Sequence, residues 1–298
     1  MEAAGVSAQP KRSAGRRLAD LFHGRPRLAV GALLAGPVGW LVVAYLGSLA
    51  VLFAAAFWHL NDLSGEIEQG FSLQNFETLT EPVYRAITLR TVGVAALVTI
   101  TDALLAFPIA FYMAKVATPR VKALLVVAVL MPLWSSYLIK VYAWRTILSE
   151  DGMLNWLLGP LGISAPEGDI FRLWLVMSYL WLPFMVIPVY AGLERISDSV
   201  LNASDDLGAK PWTTFRRVIL PLAFPAVVAG SIFTFSLTLG DFIAPQLLTK
   251  VQFIGNVVYN NVGVANNLPL AAAFALVPVA VMIIYLLIAR RLGAFEHV

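Results

Sequence analysis

Two carboxylates stand in or at the end of runs that are otherwise apolar: Asp102 in TVGVAALVTITDALLAF and Asp241 in SLTLGDFIAP. Lys140 and Arg145 lie near the end of a third such run. A charge at the centre of a bilayer costs about 2.5–3.5 kcal/mol on insertion scales, so these groups face a bundle interior or a water-filled cavity. One chemistry open to them is capture of a cation, by Asp241 near one mouth of the bundle or by Asp102 deeper in. Tyr142, Trp144, Trp134 and Trp181 could add cation–π faces. The structural alternatives are an ion pair of Asp241 with Lys140 or Arg145, an interhelical hydrogen bond at Asp102, and interfacial anchoring by the aromatic rings. Bond-making chemistry finds no support. The histidines, His23, His59 and His297, are too scattered for a metal site, and cysteine is absent. No lysine directly follows a glycine, so there is no GxxxxGK[ST] loop and no ATPase site on this chain.

The elements that position these residues are membrane helices. The chain of 298 residues is 59% hydrophobic and 13% charged, with a mean hydropathy of +0.77; soluble domains carry about 25% charged residues. A span needs roughly 20 apolar residues. The runs Leu28–Phe57, Thr91–Ala114, Ala123–Val141, Leu173–Leu193, Val218–Gly240 and Pro269–Ala289 predict about six transmembrane helices in an all-α polytopic protein. The first run is longer than one span requires and predicts a tilt, or a kink at Pro37. It also exceeds the roughly 7–15 apolar residues of a signal peptide. Every run contains proline: Pro37, Pro108, Pro132, Pro183 with Pro188, Pro225 and Pro278. Membrane helices are generally proline-rich; kinked helices lining a path that opens and closes are the functional alternative.

Charge sets the orientation. Lys11, Arg12, Arg16, Arg17, Arg25 and Arg27 precede the first run, and Lys115, Arg120 and Lys122 follow the second. Lys210, Arg216 and Arg217 precede the fifth, and Arg290 and Arg291 follow the last. The intervening loops carry Asp62, Glu66, Glu68, Glu77 and Glu81, then Glu150, Asp151, Glu167 and Asp169. By the positive-inside rule both termini and the basic loops are cytoplasmic. The basic residues of the N-terminal tail are explained by this rule, with no nucleic-acid partner. The expected organisation is a cytoplasmic basic tail at 1–27, a transmembrane domain at 28–289, and a short cytoplasmic tail at 290–298.

The cytoplasmic loop between the fourth and fifth spans, about 194–221, is long enough to have structure of its own. Ser197 or Asp198 can cap a helix. Val200, Ala203 and Leu207 recur on one face of it. Gly208 suits a left-handed helix end, and Pro211 suits the first turn of a second short helix, whose apolar side is Trp212, Phe215 and Val218. The apolar faces need a partner: a membrane surface, the ends of the spans, or a cytoplasmic protein. Asp205 and Asp206 argue against an anionic leaflet.

Ala203, Gly208, Val218, Leu220 and Pro221 resemble the cytoplasmic "EAA" loop of ATP-binding-cassette importer permeases, in which Glu-Ala-Ala is followed after three residues by Gly and later by Ile-x-Leu-Pro. Asn202-Ala203-Ser204 stands where Glu-Ala-Ala is usual, and Val218 where Ile is usual. PLWSSYLIKVYAWRTILSEDGMLN (Pro132–Asn155), GDFIAPQLL (Gly240–Leu248) and IGNVV (Ile254–Val258) are similar to stretches of spermidine/putrescine-type permeases.

The resemblance implies a type I ABC importer permease fold in a bacterial inner membrane. It implies ATPase coupling through Val200, Asn202, Ala203, Ser204, Leu207, Gly208, Phe215, Leu220 and Pro221. The implied partners are cytoplasmic ATPase subunits that bind ATP and Mg, a second and homologous permease subunit, an extracytoplasmic solute-binding protein, and lipid; no cofactor is expected on this chain. The implied cargo is a polyamine, with iron, an opine-like amine or another organic solute as alternatives. An ion-coupled secondary transporter would account for the intramembrane acids but not for the loop.

Overall fold

The computed structural model describes residues 26–61, 64–162 and 168–291. Most of the basic tail, Asp62, Glu167 and the last seven residues lie outside them, and with them the sequence expectations for those stretches. The chain divides into two units, up to Ala54 and from Ala55 onward.

The first unit is helical: α1 (Pro26–Trp40), a π-helical turn (Leu41–Leu46) and α2 (Gly47–Ala55). Its apolar stretch Leu33–Ala55 is long enough to cross a membrane. Pro37 sits inside α1, and the departure from α geometry opens four residues after it.

The second unit begins with a two-residue hairpin, β1 (His59–Leu60) on β2 (Ile67–Glu68), and α3 (Gln74–Leu79). Then come α4 (Pro82–Phe111), α5 (Pro119–Trp134), α6 (Tyr137–Ile147), α7 (Met153–Leu158) and α8 (Asp169–Glu194). The loop helices α9 (Asp198–Asp206) and α10 (Pro211–Thr214) lead into α11 (Leu220–Gly240). The chain closes with α12 (Ile243–Leu248), α13 (Ile254–Gly263) and α14 (Leu268–Arg291).

The core is the mutual packing of α4, α8 and α11. Toward α9 it holds Ala106, Ala110, Met113, Met185, Val189, Leu193 and Ala223; toward the other end, Val94, Val98, Val141, Leu173, Val176 and Met177. Lipid tails are as apolar as these side chains, so close backbone approach supplies the contact energy that burial supplies in water. At Gly192 of α8 a β-carbon would stand 2.2 Å from the β-carbon of Ala226 on α11. The residue there must be glycine for the two helices to touch. α14 joins through α13 and α11, with Tyr285 stacked on Phe235 at 4.9 Å.

Among the described residues, five helical stretches are long and apolar enough to span: Leu33–Ala55, Pro82–Val116, Asp169–Glu194, Pro211–Gly240 and Leu268–Arg291. The expected third span, Ala123–Val141, is not one straight helix. It is divided between α5 and α6, which meet at 93° across Ser135 and Ser136. The cause is local. In a continuous helix the Pro132 carbonyl would accept from the Ser136 N–H. Here it accepts instead from the Ser135 hydroxyl at 2.9 Å and the Lys140 ammonium at 3.0 Å, a side-chain substitution for a helical bond. Counting the bent pair as one span restores six.

The fifth span also starts earlier than Val218. α10 runs through a π-helical turn (Phe215–Ile219) directly into α11, so the second loop helix is the first turn of the span. Three π-helical turns, at Leu41, Tyr112 and Phe215, each open four residues after a proline: Pro37, Pro108 and Pro211.

Candidate functional site

Two places gather the residues singled out by the sequence. The first is the α9 loop. Ser197 occupies the N-cap with extended backbone, but its hydroxyl meets Ser199 Oγ at 2.9 Å and makes no capping bond. The acidic Asp198 in the first turn complements the helix dipole instead. At the other end Gly208 has φ +74°, where a β-carbon would be strained. Its N–H donates to Asp205 at 2.8 Å, and the Ala209 N–H to Ser204 at 3.1 Å, closing the helix as a left-handed cap does. Pro211 then opens α10, where its missing N–H costs nothing.

The side of α9 turned to the protein is partly polar. Ser204 is buried, its hydroxyl 2.9 Å from that of Thr214, also buried, and Leu201 packs beside the α4–α8–α11 core. The apolar side is turned out: Val200 is 40% and Leu207 88% exposed, with Ala203 exposed between them. Asn202 is exposed too, as are Leu220 and Pro221 at the head of α11. Phe215 is half-buried, edge-on to Phe107 at 5.5 Å and stacked on the exposed Trp212 at 5.4 Å. Two clefts flank α9. One, of about 540 Å3, is lined by Gly192, Arg195, Val200, Leu222 and Pro225 among others; the second, of about 560 Å3, includes Leu201, Asp205, Trp212 and Phe215.

Lysines that served the sequence reading only as topology markers hold this loop in place. The Lys115 ammonium donates to the Ile196 carbonyl and lies 3.2 Å from the Asp198 carboxylate. It therefore caps the end of α8 and pins the start of α9. Lys122 pairs with Glu194 at 2.8 Å, and the Tyr190 hydroxyl donates to the same carboxylate at 3.0 Å. Spacing alone could not announce these contacts, which span 72 to 83 residues of sequence.

The second place is the opposite end of the bundle, where α11 stops at Gly240. Asp241 is half-buried. Its Oδ1 accepts from the Ile243 N–H at 2.9 Å and the Ala244 N–H at 3.4 Å, and its Oδ2 accepts from the Tyr137 hydroxyl. The expected alternative of an ion pair with Lys140 or Arg145 does not occur: Lys140 is committed to the Pro132 carbonyl, and no ion pair of Asp241 is found among the described residues. Tyr137 lies nearly parallel to Trp181, 13° between planes and 5.7 Å between centroids. A pocket of about 320 Å3 opens on Tyr137, Trp181, Ser236, Gly240, Asp241 and Phe242. Asn256 steadies the turn by donating to the Phe242 carbonyl at 3.0 Å.

Tyr137 was missed by the sequence reading, and the 93° turn between α5 and α6 is what delivers it. The other aromatic candidates are elsewhere. Tyr142 and Trp134 are exposed, and Trp144 packs on Tyr179 at 5.2 Å; none lines this pocket. Asp102 lies in the helix packing, 0% exposed, with both carboxylate oxygens lacking a hydrogen-bond partner. Ser178 of α8 is the polar side chain beside it.

The profile of the family described as "Binding-protein-dependent transport system inner membrane component" matches residues 87–294. The inner membrane ABC transporter permease protein YdcU of Escherichia coli (strain K12) is 43% identical over 307 residues, covering 98% of each chain. The spermidine/putrescine transport system permease protein PotB of the same organism is 32% identical over 260 residues, 85% of this chain and 94% of that one. Its counterpart PotC is 36% identical over 107 residues, 35% of this chain and 40% of that one. Among solved structures, a bacterial alginate ABC transporter in complex with an alginate pentasaccharide-bound periplasmic protein superposes with a TM-score of 0.70 at 17% identity, over 91% of this chain and 98% of that one.

Proposed function

This chain belongs to the family of binding-protein-dependent transport system inner membrane components and is a multi-pass ABC importer permease; from that premise we propose that its cargo is a small organic cation of the polyamine type, moved by ATP hydrolysis on separate cytoplasmic subunits. The reading takes residues 28–289 as the permease domain, with the loop at about 194–221 as the joint to the ATPase and both termini in the cytoplasm. ATP and Mg belong to the partner subunits. Cargo arrives on an extracytoplasmic binding protein, and a homologous second permease completes the pathway. Likeness to both PotB and PotC, two permeases of polyamine systems, supports the cargo and the paired subunits.

One observation carries the coupling assignment: α9 is inside out. Its polar Ser204 faces the protein, while Val200, Ala203 and Leu207 face away. An amphipathic helix normally buries its apolar stripe. An exposed stripe on a helix pinned by Lys115 and by the Ser204–Thr214 contact is a surface awaiting a second protein. Closure of the ATPase subunits would push on that stripe. The push passes through Lys115 to the end of α4 and through α10 directly into α11, since α10 and α11 are one continuous rod.

The test reconstitutes the importer with its binding protein and ATP, and measures uptake of labelled spermidine and putrescine beside co-purification of the ATPase. Wild type should take up polyamine only with ATP inside. Ala203→Asp puts a charge into the proposed contact, where an unpaired buried charge costs about 3–5 kcal/mol. It should lose the ATPase while still inserting. Normal co-purification and uptake in Ala203→Asp would end the coupling assignment. Absence of polyamine uptake by a wild-type complex with cargo-stimulated ATPase activity on another solute would end the cargo assignment.

A further inference from the structure

We propose that Asp241, Tyr137 and Trp181 form a subsite for one ammonium head at the mouth of the permease opposite α9, a site that rests on the cationic-cargo reading and adds its chemistry.

Three features make the pocket a cation site rather than a structural turn with an acid in it. The first is unbalanced charge. Asp241 has no cationic partner among the described residues, and the lysine one turn from Tyr137, Lys140, is turned away onto the Pro132 carbonyl at 3.0 Å. All the neighbours that touch the carboxylate are neutral donors. They fix its direction without cancelling its charge, and a half-buried, uncancelled charge attracts a counterion.

The second feature is the pair of π faces. Trp181 and Tyr137, stacked nearly parallel at 5.7 Å, both line the same pocket as the carboxylate. Cations sit within about 6 Å of such ring centroids, and tryptophan is the best of them. An ammonium that meets the carboxylate inside a 320 Å3 pocket is therefore also within reach of the two aromatic side chains that line it. A carboxylate beside aromatic rings selects for an ammonium over a small, strongly hydrated metal cation, because a π face can replace only part of a hydration shell.

The third feature is where the rings come from. Tyr137 is at the first turn of α6, just past the 93° break, and the hydroxyl and hydrogen bonds that make the break are local to Pro132–Lys140. The same serine and lysine contacts that turn the chain thus bring Tyr137 to Asp241 and remove Lys140 from competition for it. The bond from Tyr137 holds the carboxylate in line with the pocket. An arriving ammonium, itself a donor, can share Oδ2 or displace the hydroxyl, which removes one tie between α6 and the end of α11.

The absence of cysteine from this chain allows a direct test. Ser236→Cys places one thiol on the pocket wall. In the assembled importer its modification rates by a quaternary-ammonium methanethiosulfonate and by the sulfonate reagent of similar size are measured, each normalised to a free thiol. A focused negative potential should favour the cationic reagent by about tenfold or more. Asp241→Asn, which keeps the Oδ1 acceptor for Ile243 and Ala244 and replaces the charged Oδ2 that accepts from Tyr137 by a neutral amide NH2, should bring the ratio close to one. Trp181→Leu, which touches none of those bonds, should lower it in part. Neutral N-ethylmaleimide should label all three alike, which reports an intact pocket. Tetramethylammonium and spermidine should slow the cationic reagent in the Ser236→Cys importer but not after Asp241→Asn. A normalised ratio near one in Ser236→Cys itself, or one unchanged by Asp241→Asn, overturns the subsite. Charge-indifferent labelling with intact spermidine uptake overturns the subsite and leaves the cargo reading standing. Charge-selective labelling blocked by tetramethylammonium, in an importer that does not take up spermidine, keeps the ammonium subsite and removes the polyamine.

Discussion

Leu207 offers the sharpest measure of the coupling surface. It is the last residue before Gly208, it is 88% exposed, and in the isolated subunit its side chain contributes nothing that its removal could take away. Leu207→Ala should therefore leave the thermal stability and membrane insertion of the permease unchanged, since exposed substitutions away from special backbone are worth less than about 0.5 kcal/mol. Docking is another matter. If the ATPase covers Leu207, burial of a leucine side chain contributes about 1.5–3 kcal/mol. Truncation to the alanine β-carbon forfeits most of it, about 2 kcal/mol, which is about thirtyfold in dissociation constant. The assay titrates purified ATPase onto permease held in lipid nanodiscs, wild type against Leu207→Ala, with the melting temperature of each recorded alongside. Asn202→Glu serves as a control on the same helix: it is exposed, lies off the stripe, and should bind normally. Equal affinities for wild type and Leu207→Ala would refute the reasoning, because no protein could then be covering the most exposed apolar residue of the loop. A lower melting temperature without a partner present would refute it differently, by showing that Leu207 already packs within the chain.

Gly208→Val forces a β-branched residue into φ +74°, a strain of about 1–2 kcal/mol or more; it should lower the melting temperature and weaken ATPase co-purification together, and wild-type values of both would show the left-handed cap to be dispensable. Sidedness is tested by single cysteines: Ser72→Cys should react with an impermeant thiol reagent added outside, whereas Asn202→Cys should react only after permeabilisation. Asn202 is the right inner reporter because the neighbouring Ser204 is buried and would stay silent on either side; external labelling of Asn202→Cys would invert the topology.

The spans were legible because a charge-free run of bilayer length admits few other structures, and the loop was legible because Gly208 and Pro211 each satisfy a backbone requirement that few other residues meet. The break at Ser135–Ser136 was not. Hydropathy averages over it, and the competing acceptor chemistry at the Pro132 carbonyl involves side chains that a window treats as mere polarity. Tyr137 and Asp241 stand 104 residues apart, so no periodicity joins them; only the turn does. The instructive case is α9, where the spacing marks an apolar face and leaves open what that face meets. Val200, Ala203 and Leu207 do share a face, as their spacing predicts. Yet in a lone chain a stripe at that spacing belongs against the core, and here Leu201 and Ser204 occupy that side. The difference arises at Thr214. A buried serine needs a hydrogen-bond partner, and Thr214 in the first turn of the fifth span supplies it at 2.9 Å. That polar contact is one of two that fix the rotation of the helix about its axis. Replacing Ser204 by an apolar residue of similar size would not reverse the helix by itself, because Lys115 still holds its first turn through Ile196 and Asp198. Two anchors, one at each end of nine residues, set the stripe outward before any partner arrives. The surface is thus pre-formed, and the ordering cost that a flexible loop would pay on docking is already met within the permease fold.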